Sequence, residues 1–151
     1  IQILTVFNSV VSTVFFPYLV KNKNKFNIYR KIYLGVFLLI FYFVWIFHYD
    51  FFNLLGVSYI GLERVFLFLL LGVLFIVIYS IYATNYLIAR GKDNVVMKIT
   101  ILASLVGFFC AFPLIKYFGM VGGAVNIFIC QLILGVASYF SFRKHSLGKY
   151  L

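Results

Sequence analysis

The side chains that most often carry out enzyme chemistry are few in this chain, and they lie far apart. Its three carboxylates are Asp50, Glu63 and Asp93, and all three fall in predicted loops. The sequence holds no metalloprotease, paired-cysteine, nucleophile-elbow or nucleotide-binding motif, and no spacing of ligands that is typical of a metal site. We therefore expect that the chain is not an enzyme and needs neither a cofactor nor a metal.

Amide and hydroxyl side chains inside long apolar stretches offer a different chemistry, which is hydrogen bonding. An amide without a partner in hydrocarbon costs several kcal/mol, so each should face protein or water. We predict that five of them line a substrate path, and the alternative is hydrogen bonding between helices. The five are Asn8, Ser12, Asn85, Asn126 and Gln131.

Their spacing groups only some of them. Asn8 and Ser12 are separated by four residues and share one helix face. Asn85 is predicted to be either a lumen residue or a cap at the inner boundary. Asn126 and Gln131 are five apart, on different parts of a helix, so the sequence does not place both in one cavity.

Helices that cross a membrane must position these side chains. The chain is 65% hydrophobic with a mean hydropathy of +1.09, whereas soluble domains are about 45–50% apolar. A span needs about 20 helical residues. Five uncharged stretches have about this length. Five spans with short loops would use nearly all of residues 1–151, so we predict a single helical unit. The predicted spans are 1–20, 32–49, 65–89, 99–115 and 117–142.

The basic residues predict how the spans are oriented. The gaps after the five stretches hold five, one, three, one and three Lys or Arg residues. Short loops rich in Lys and Arg stay in the cytoplasm. The rich gaps therefore predict a cytoplasmic carboxy terminus, and the segment Phe51–Arg64 is predicted to lie at the outer interface or to fold back on the bundle.

The net charge of +10 does not by itself indicate nucleic acid. The charge is dispersed over short loops without a basic face or a binding motif, so we expect no nucleic-acid partner. Anionic lipid head groups are the expected partners of these residues. Cys110 and Cys130 fall inside apolar spans and are predicted to be small buried hydrophobic residues.

Small residues predict close helix packing in the last two spans. Ala103, Gly107 and Ala111 are spaced at i, i+4 and i+8, which lets another helix approach closely. Gly119 and Gly123 form a GxxxG pattern, for which tight packing is favoured over dimerisation. The first residue is Ile and the first span begins at once, so we expect the carboxy-terminal piece of a longer protein.

Three stretches resemble a known family when their order and spacing are taken together. They are FFPYLVKNKNKF at Phe15–Phe26, NYLIARGKDN at Asn85–Asn94 and PLIKYFGMVGGAVNIFICQ at Pro113–Gln131. In sequence, they resemble a proline-bearing helix end before a basic loop, a helix ending in a Gly-Lys turn, and a glycine-rich outer turn. The chain thus resembles bacterial O-antigen flippases of the multidrug/oligosaccharidyl-lipid/polysaccharide exporter superfamily.

That resemblance implies an all-α integral membrane protein. Its five helices would form most of the second six-helix lobe of a twelve-helix transporter in the bacterial inner membrane. The implied function is flipping of an undecaprenyl-pyrophosphate-linked O-antigen oligosaccharide by alternating access. The implied partners are this lipid-linked oligosaccharide, membrane lipids and the amino-terminal lobe. Two alternatives stay open: a drug or lipid exporter of the same superfamily, and a non-transporting membrane scaffold or channel subunit.

Overall fold

Helices make up almost all of the part of the chain that the structure, a computed structural model, describes: residues 2–54 and 61–147. Four α-helices follow one another, and a π-helix and a 3₁₀ turn extend the third. Their bounds are α1 Gln2–Lys21, α2 Phe26–Leu54, α3 Leu62–Tyr79, the π-helix Ser80–Leu87, the 3₁₀ turn Ile88–Arg90, and α4 Asp93–Leu147.

The first two helices lie closer together in sequence than predicted. A long loop was expected at residues 21–31, but a short 3₁₀ turn at Lys23–Lys25 joins α1 directly to α2. That prediction was wrong over residues 26–31, which contain neither Gly nor Pro to end a helix. At its other end α2 continues beyond the predicted limit at residue 49 to Leu54.

The third predicted span, 65–89, is one continuous helical rod that changes its winding. It begins as α3, becomes a π-helix at Ser80 and ends as a 3₁₀ turn at Arg90. Gly91 then takes the left-handed conformation with φ of 69°. The Gly91 N–H donates to the Ile88 carbonyl and the Lys92 N–H to the Leu87 carbonyl, both at 2.9 Å. These two bonds form a Schellman cap, and the predicted tight turn is confirmed.

The fourth and fifth predicted spans, 99–115 and 117–142, both lie in α4, which is broken at Gly119. Gly119 has φ of 57° and ψ of −130°, a backbone conformation open to glycine but strained for other residues. A Cβ at Gly122 would collide with the Leu114 carbonyl, and one at Gly107 would collide with the Cys130 sulfur. Residues 93–118 and 120–147 therefore fold back on each other as a helical hairpin.

This hairpin confirms one sequence prediction about small residues and corrects another. Gly107 admits the opposing half of α4 closely, as the stripe Ala103–Gly107–Ala111 predicted. The GxxxG pattern does not act as predicted, because Gly119 forms the break and a Cβ at Gly123 would meet nothing within 4 Å. Pro113 lies inside the first half of the hairpin.

The basic segments predicted to share one side of a membrane lie at one end of the bundle. Phe26 begins α2 within the first basic segment, and its ring centroid is 5.7 Å from that of Phe142, which precedes the last basic segment. The guanidinium of Arg90, from the second segment, lies 5.7 Å from the Phe26 ring. At the other end, Gly61 packs against Val121. The sparse gaps thus lie opposite the rich ones.

The surface of the bundle is apolar. Phe108 and Phe112 are each 76% exposed, and Ile3 is 82% exposed. Water would oppose such exposure, whereas lipid tails would not. Within the described residues, four helical segments are long and apolar enough to cross a membrane: Gln2–Lys21, Phe26–His48, Leu62–Arg90 and Asp93–Ser146.

Candidate functional site: two buried polar layers

Six polar side chains gather inside the bundle where α1, α2 and the π-helix meet. Each helix contributes two of them, and they form two hydrogen-bonded layers. The Asn8 layer consists of Asn8, Tyr33 and Ser80, and the Asn85 layer consists of Ser12, Tyr29 and Asn85.

The Asn8 layer is held by three hydrogen bonds. The Asn8 side-chain amide donates to the Ser80 hydroxyl at 2.8 Å. The Tyr33 hydroxyl lies 2.8 Å from the Asn8 Oδ1 and 3.0 Å from its backbone carbonyl, and donates toward both. Asn8 is 4% exposed and Ser80 6%. Each polar atom of the Asn8 amide thus has a partner in this layer.

The Asn85 layer is less complete. The Asn85 Nδ2 donates to the Ser12 hydroxyl at 2.9 Å and to the Tyr29 hydroxyl at 2.7 Å. Asn85 is fully buried, and its Oδ1 has no hydrogen-bond partner among the described residues. The Asn8 amide has partners for both of its polar atoms. The Asn85 Oδ1 is therefore the one side-chain amide oxygen in the two layers that lacks a hydrogen-bond partner.

The change of helical winding explains why Ser80 and Asn85 share a face. In an α-helix, side chains four apart lie one above the other, and residues five apart diverge. A π-helix closes i→i+5 bonds, so residues five apart are the ones that stack. Ser80 and Asn85 are five apart and lie within the π-helix. Each can therefore meet one member of the α1 pair.

The order of the contacts also gives the helix directions. From the Asn8 layer to the Asn85 layer, α1 advances from Asn8 to Ser12 and the π-helix from Ser80 to Asn85. Over the same step α2 runs backwards, from Tyr33 to Tyr29. α1 and the third rod are thus parallel, and α2 is antiparallel to both.

The structure brings three of the five predicted site residues together. Asn8, Ser12 and Asn85 join the two layers, and the predicted common face of Asn8 and Ser12 is confirmed. Asn126 and Gln131 lie on α4, away from both layers. The Gln131 amide occupies the space that a side chain at Gly72 would fill. The Asn126 Oδ1 and Gln131 Oε1 are buried without a hydrogen-bond partner among the described residues. A substrate path for the five stays a prediction.

Three members of the layers were not among the predicted site residues: Tyr29, Tyr33 and Ser80. Tyr29 and Tyr33 are separated by four residues on α2, which was a usable signal for one polar face. In an aromatic-rich segment this signal is masked, because tyrosine is also a common interfacial anchor. No local signal shows the π-helix that aligns Ser80 with Asn85.

The chemistry of the layers is that of neutral donors and acceptors. Amide and phenol groups can hold helices in register or bind polar groups such as sugar hydroxyls. Among residues 2–54 and 61–147, no group of three or more His, Cys, Asp or Glu side chains is arranged to hold a metal ion. Comparisons with protein-family models, with curated proteins and with solved structures found no match.

Proposed function

We propose that this chain is a lobe of a membrane transporter that flips a lipid-linked oligosaccharide. The observation that carries the proposal is the pair of polar layers, which join three apolar helices around a π-helix. Polar groups within membrane helices are costly, and substrate pathways are one of the places where they occur. π-helical segments are likewise frequent at functional sites.

In this proposal the chain crosses the bacterial inner membrane five times. The break at Gly119 divides α4 into two crossings, and three rods account for the others. Because basic residues gather at one end of the bundle, that end faces the cytoplasm, together with the carboxy terminus. The three rods and the hairpin would together form most of the second six-helix lobe of a twelve-helix transporter.

The proposed substrate is an undecaprenyl-pyrophosphate-linked O-antigen unit, as the family resemblance implies. Its polar head must pass the hydrocarbon while its lipid tail stays in the bilayer. Alternating access between this lobe and an amino-terminal lobe of the same protein would provide a hydrated route. The layers would keep α1, α2 and the π-helix together as one moving body. The chain itself would perform no catalytic step.

The burial of the layers favours a second candidate, a non-transporting membrane scaffold or channel subunit. Asn8 is 4% exposed, Ser12 5% and Asn85 fully buried, and they bond to neighbouring helices. Such bonds serve packing alone in many membrane bundles. A drug or lipid exporter of the same superfamily is a further alternative. Cation-coupled export is disfavoured because the three carboxylates of the sequence lie near helix ends.

Complementation of a bacterial strain that lacks its own O-antigen flippase tests the proposal. The intact protein should restore surface O-antigen, and Asn85→Ala should reduce it although the variant reaches the membrane at normal levels. Asn94→Ala is the matched control, because Asn94 is an exposed amide at the basic end. Normal membrane levels without any restoration would contradict the flippase proposal and favour the scaffold.

Cysteine substitutions then separate a path from a packing interface. In the intact protein, cysteine at Asn126 or Gln131 should react with a water-soluble thiol reagent if these positions line the path. Cysteine at Asn8 should react if this residue lines the path, and it should stay protected if the layers only keep the three helices together as one moving body. Protection of all these positions during transport would refute the predicted path.

A further inference from the structure

A groove between α1 and α2 is open on the outside of the bundle. It encloses about 450 Å³. On α1 its wall is formed by Phe7, Val11, Phe15 and Tyr18. On α2 it is formed mainly by Ile28, Ile32 and Val36, with the rings of Tyr29 and Tyr33 at its floor. The walls are therefore suited to a flexible hydrocarbon chain.

The length of the groove matches one leaflet of a bilayer. From Phe7 to Tyr18 the α1 axis advances about 16 Å at 1.5 Å per residue. Half of a hydrocarbon core of about 30 Å is nearly the same distance. Since Tyr18 lies one turn from the basic end, the groove covers the leaflet on that side.

A polar concavity continues the groove at the same end. It encloses about 370 Å³ and is lined by Lys21, Asn22, Asn24 and Lys25. Lys25 belongs to both spaces, since it also closes the end of the apolar groove. The sequence contains no carboxylate before Asp50, so no acidic neighbour in α1 or the turn neutralises these lysines.

Tyr18 holds Lys25 at the junction of the two spaces. The Lys25 ammonium lies 5.7 Å from the centroid of the Tyr18 ring. A hydrogen bond with the Tyr18 side chain raises the pKa of Lys25 above its ordinary value. A lysine is charged at physiological pH even at its ordinary pKa, and because the Lys25 side chain is exposed, its ammonium is available to an anionic group.

We propose that the α1–α2 groove binds an anionic glycerophospholipid of the leaflet at the basic end. The lipid phosphate would lie among Lys21, Asn22, Asn24 and Lys25, and one acyl chain would follow the groove toward Phe7. An apolar helix from another protein would fill the apolar groove but would leave the basic concavity without an anionic partner. Charge complementarity thus favours the lipid. The inference rests on the proposed membrane placement and is independent of the transported substrate.

Native mass spectrometry of the intact protein, released from detergent with equal amounts of phosphatidylglycerol and phosphatidylcholine, tests this inference. We expect retention of one phosphatidylglycerol in preference to phosphatidylcholine. The double variant Lys21→Gln/Lys25→Gln should reduce that retention about 30-fold, from the usual contribution of a lysine near an anionic surface. Lys98→Gln, which changes an exposed lysine on α4, should not.

A second variant tests the apolar part and keeps the lysines. Ile32→Trp places a larger ring in the groove and should also reduce phosphatidylglycerol retention. Leu105→Trp is the control, because Leu105 is comparably exposed (52% against 62% for Ile32) but lies on α4. Circular dichroism of each variant checks that the helices remain folded.

Equal retention of both lipids, or unchanged retention in both groove variants, would overturn the inference. Retention of a polyprenyl pyrophosphate in place of phosphatidylglycerol, lost in the same variants, would also overturn it and would assign the groove to transport. The complementation experiment tests the flippase proposal independently of lipid binding. A protein that fails to restore O-antigen but retains phosphatidylglycerol selectively would refute the flippase proposal alone.

Discussion

Replacing Tyr33 with phenylalanine removes one hydroxyl from the Asn8 layer and leaves the ring in place. Tyr33 is 4% exposed, and its hydroxyl donates toward the Asn8 Oδ1 at 2.8 Å and its backbone carbonyl at 3.0 Å. The ring lies 5.0 Å from that of Phe37 and 5.1 Å from that of Tyr29. Since phenylalanine preserves these ring contacts, the change isolates the hydrogen bonds.

The expected loss of stability follows from what happens to Asn8. Without the hydroxyl, the Asn8 Oδ1 becomes a buried acceptor without its partner. In soluble proteins, such a group costs about 1–3 kcal/mol. Measured hydrogen bonds between membrane helices average about 0.6 kcal/mol and reach about 1.7 kcal/mol. Because the layer is almost fully buried and the bond is short, we expect Tyr33→Phe to cost about 1 kcal/mol.

Reversible unfolding in mixed micelles, followed by circular dichroism, measures this cost. A double-mutant cycle with Asn8→Ala gives the coupling between the two side chains, which we expect to be about 0.5–1 kcal/mol. It is smaller than the single-variant loss because the Asn8 carbonyl still accepts a bond in Asn8→Ala. Tyr42→Phe is the matched control on the same helix, where Tyr42 is 64% exposed.

Two outcomes would refute this reasoning. If the coupling is below about 0.3 kcal/mol, which is within the usual additivity of distant sites, the layer does not join α1 to α2 energetically. If Tyr42→Phe is as destabilising as Tyr33→Phe, the loss reflects a general effect of removing a phenol from α2 and not the contact with Asn8.

Glycine substitutions and reporter fusions test the hairpin, the cap and the topology. Gly122→Ala should destabilise the protein by about 1–3 kcal/mol because its Cβ meets a backbone carbonyl that cannot turn away. Gly35→Ala, in open space within α2, should stabilise it by about 0.5–1 kcal/mol. Thermal unfolding compares the two variants, and equal effects would contradict the hairpin. Gly91→Ala should cost about 1–2 kcal/mol in the same assay, since Gly91 has positive φ, and no loss would contradict the Schellman cap. A reporter enzyme that works only in the exterior compartment should be inactive when fused after the last residue and active when inserted at the break of α4; the reverse pattern would exclude a cytoplasmic carboxy terminus.

Sequence alone accounted for the helices and for the ends at which charge collects. The uncharged stretches predicted the rods, and the alternating basic gaps predicted that the first, third and last gaps, which are rich in Lys and Arg, would lie on one side. Both signals depend on local sequence, because a charge is excluded from hydrocarbon wherever it stands. The helix end at Gly91 is local in the same way, since it depends on the backbone freedom of that one glycine. The helix limits were less predictable, as α2 shows by beginning at Phe26, because the residues beyond the hydrocarbon can remain helical when nothing interrupts them.

The arrangement of the polar side chains was decided by tertiary structure. Asn8 meets Ser80 across 72 positions of sequence, and Ser12 meets Asn85 across 73. A π-helix is intrinsically rare, so no local preference would place one at Ser80–Leu87. It aligns Ser80 and Asn85 with side chains that α1 and α2 supply, and their mutual hydrogen bonds stabilise this register. Spacing along the chain therefore identified polar residues worth attention, but only the packing of three helices determined which of them share a site.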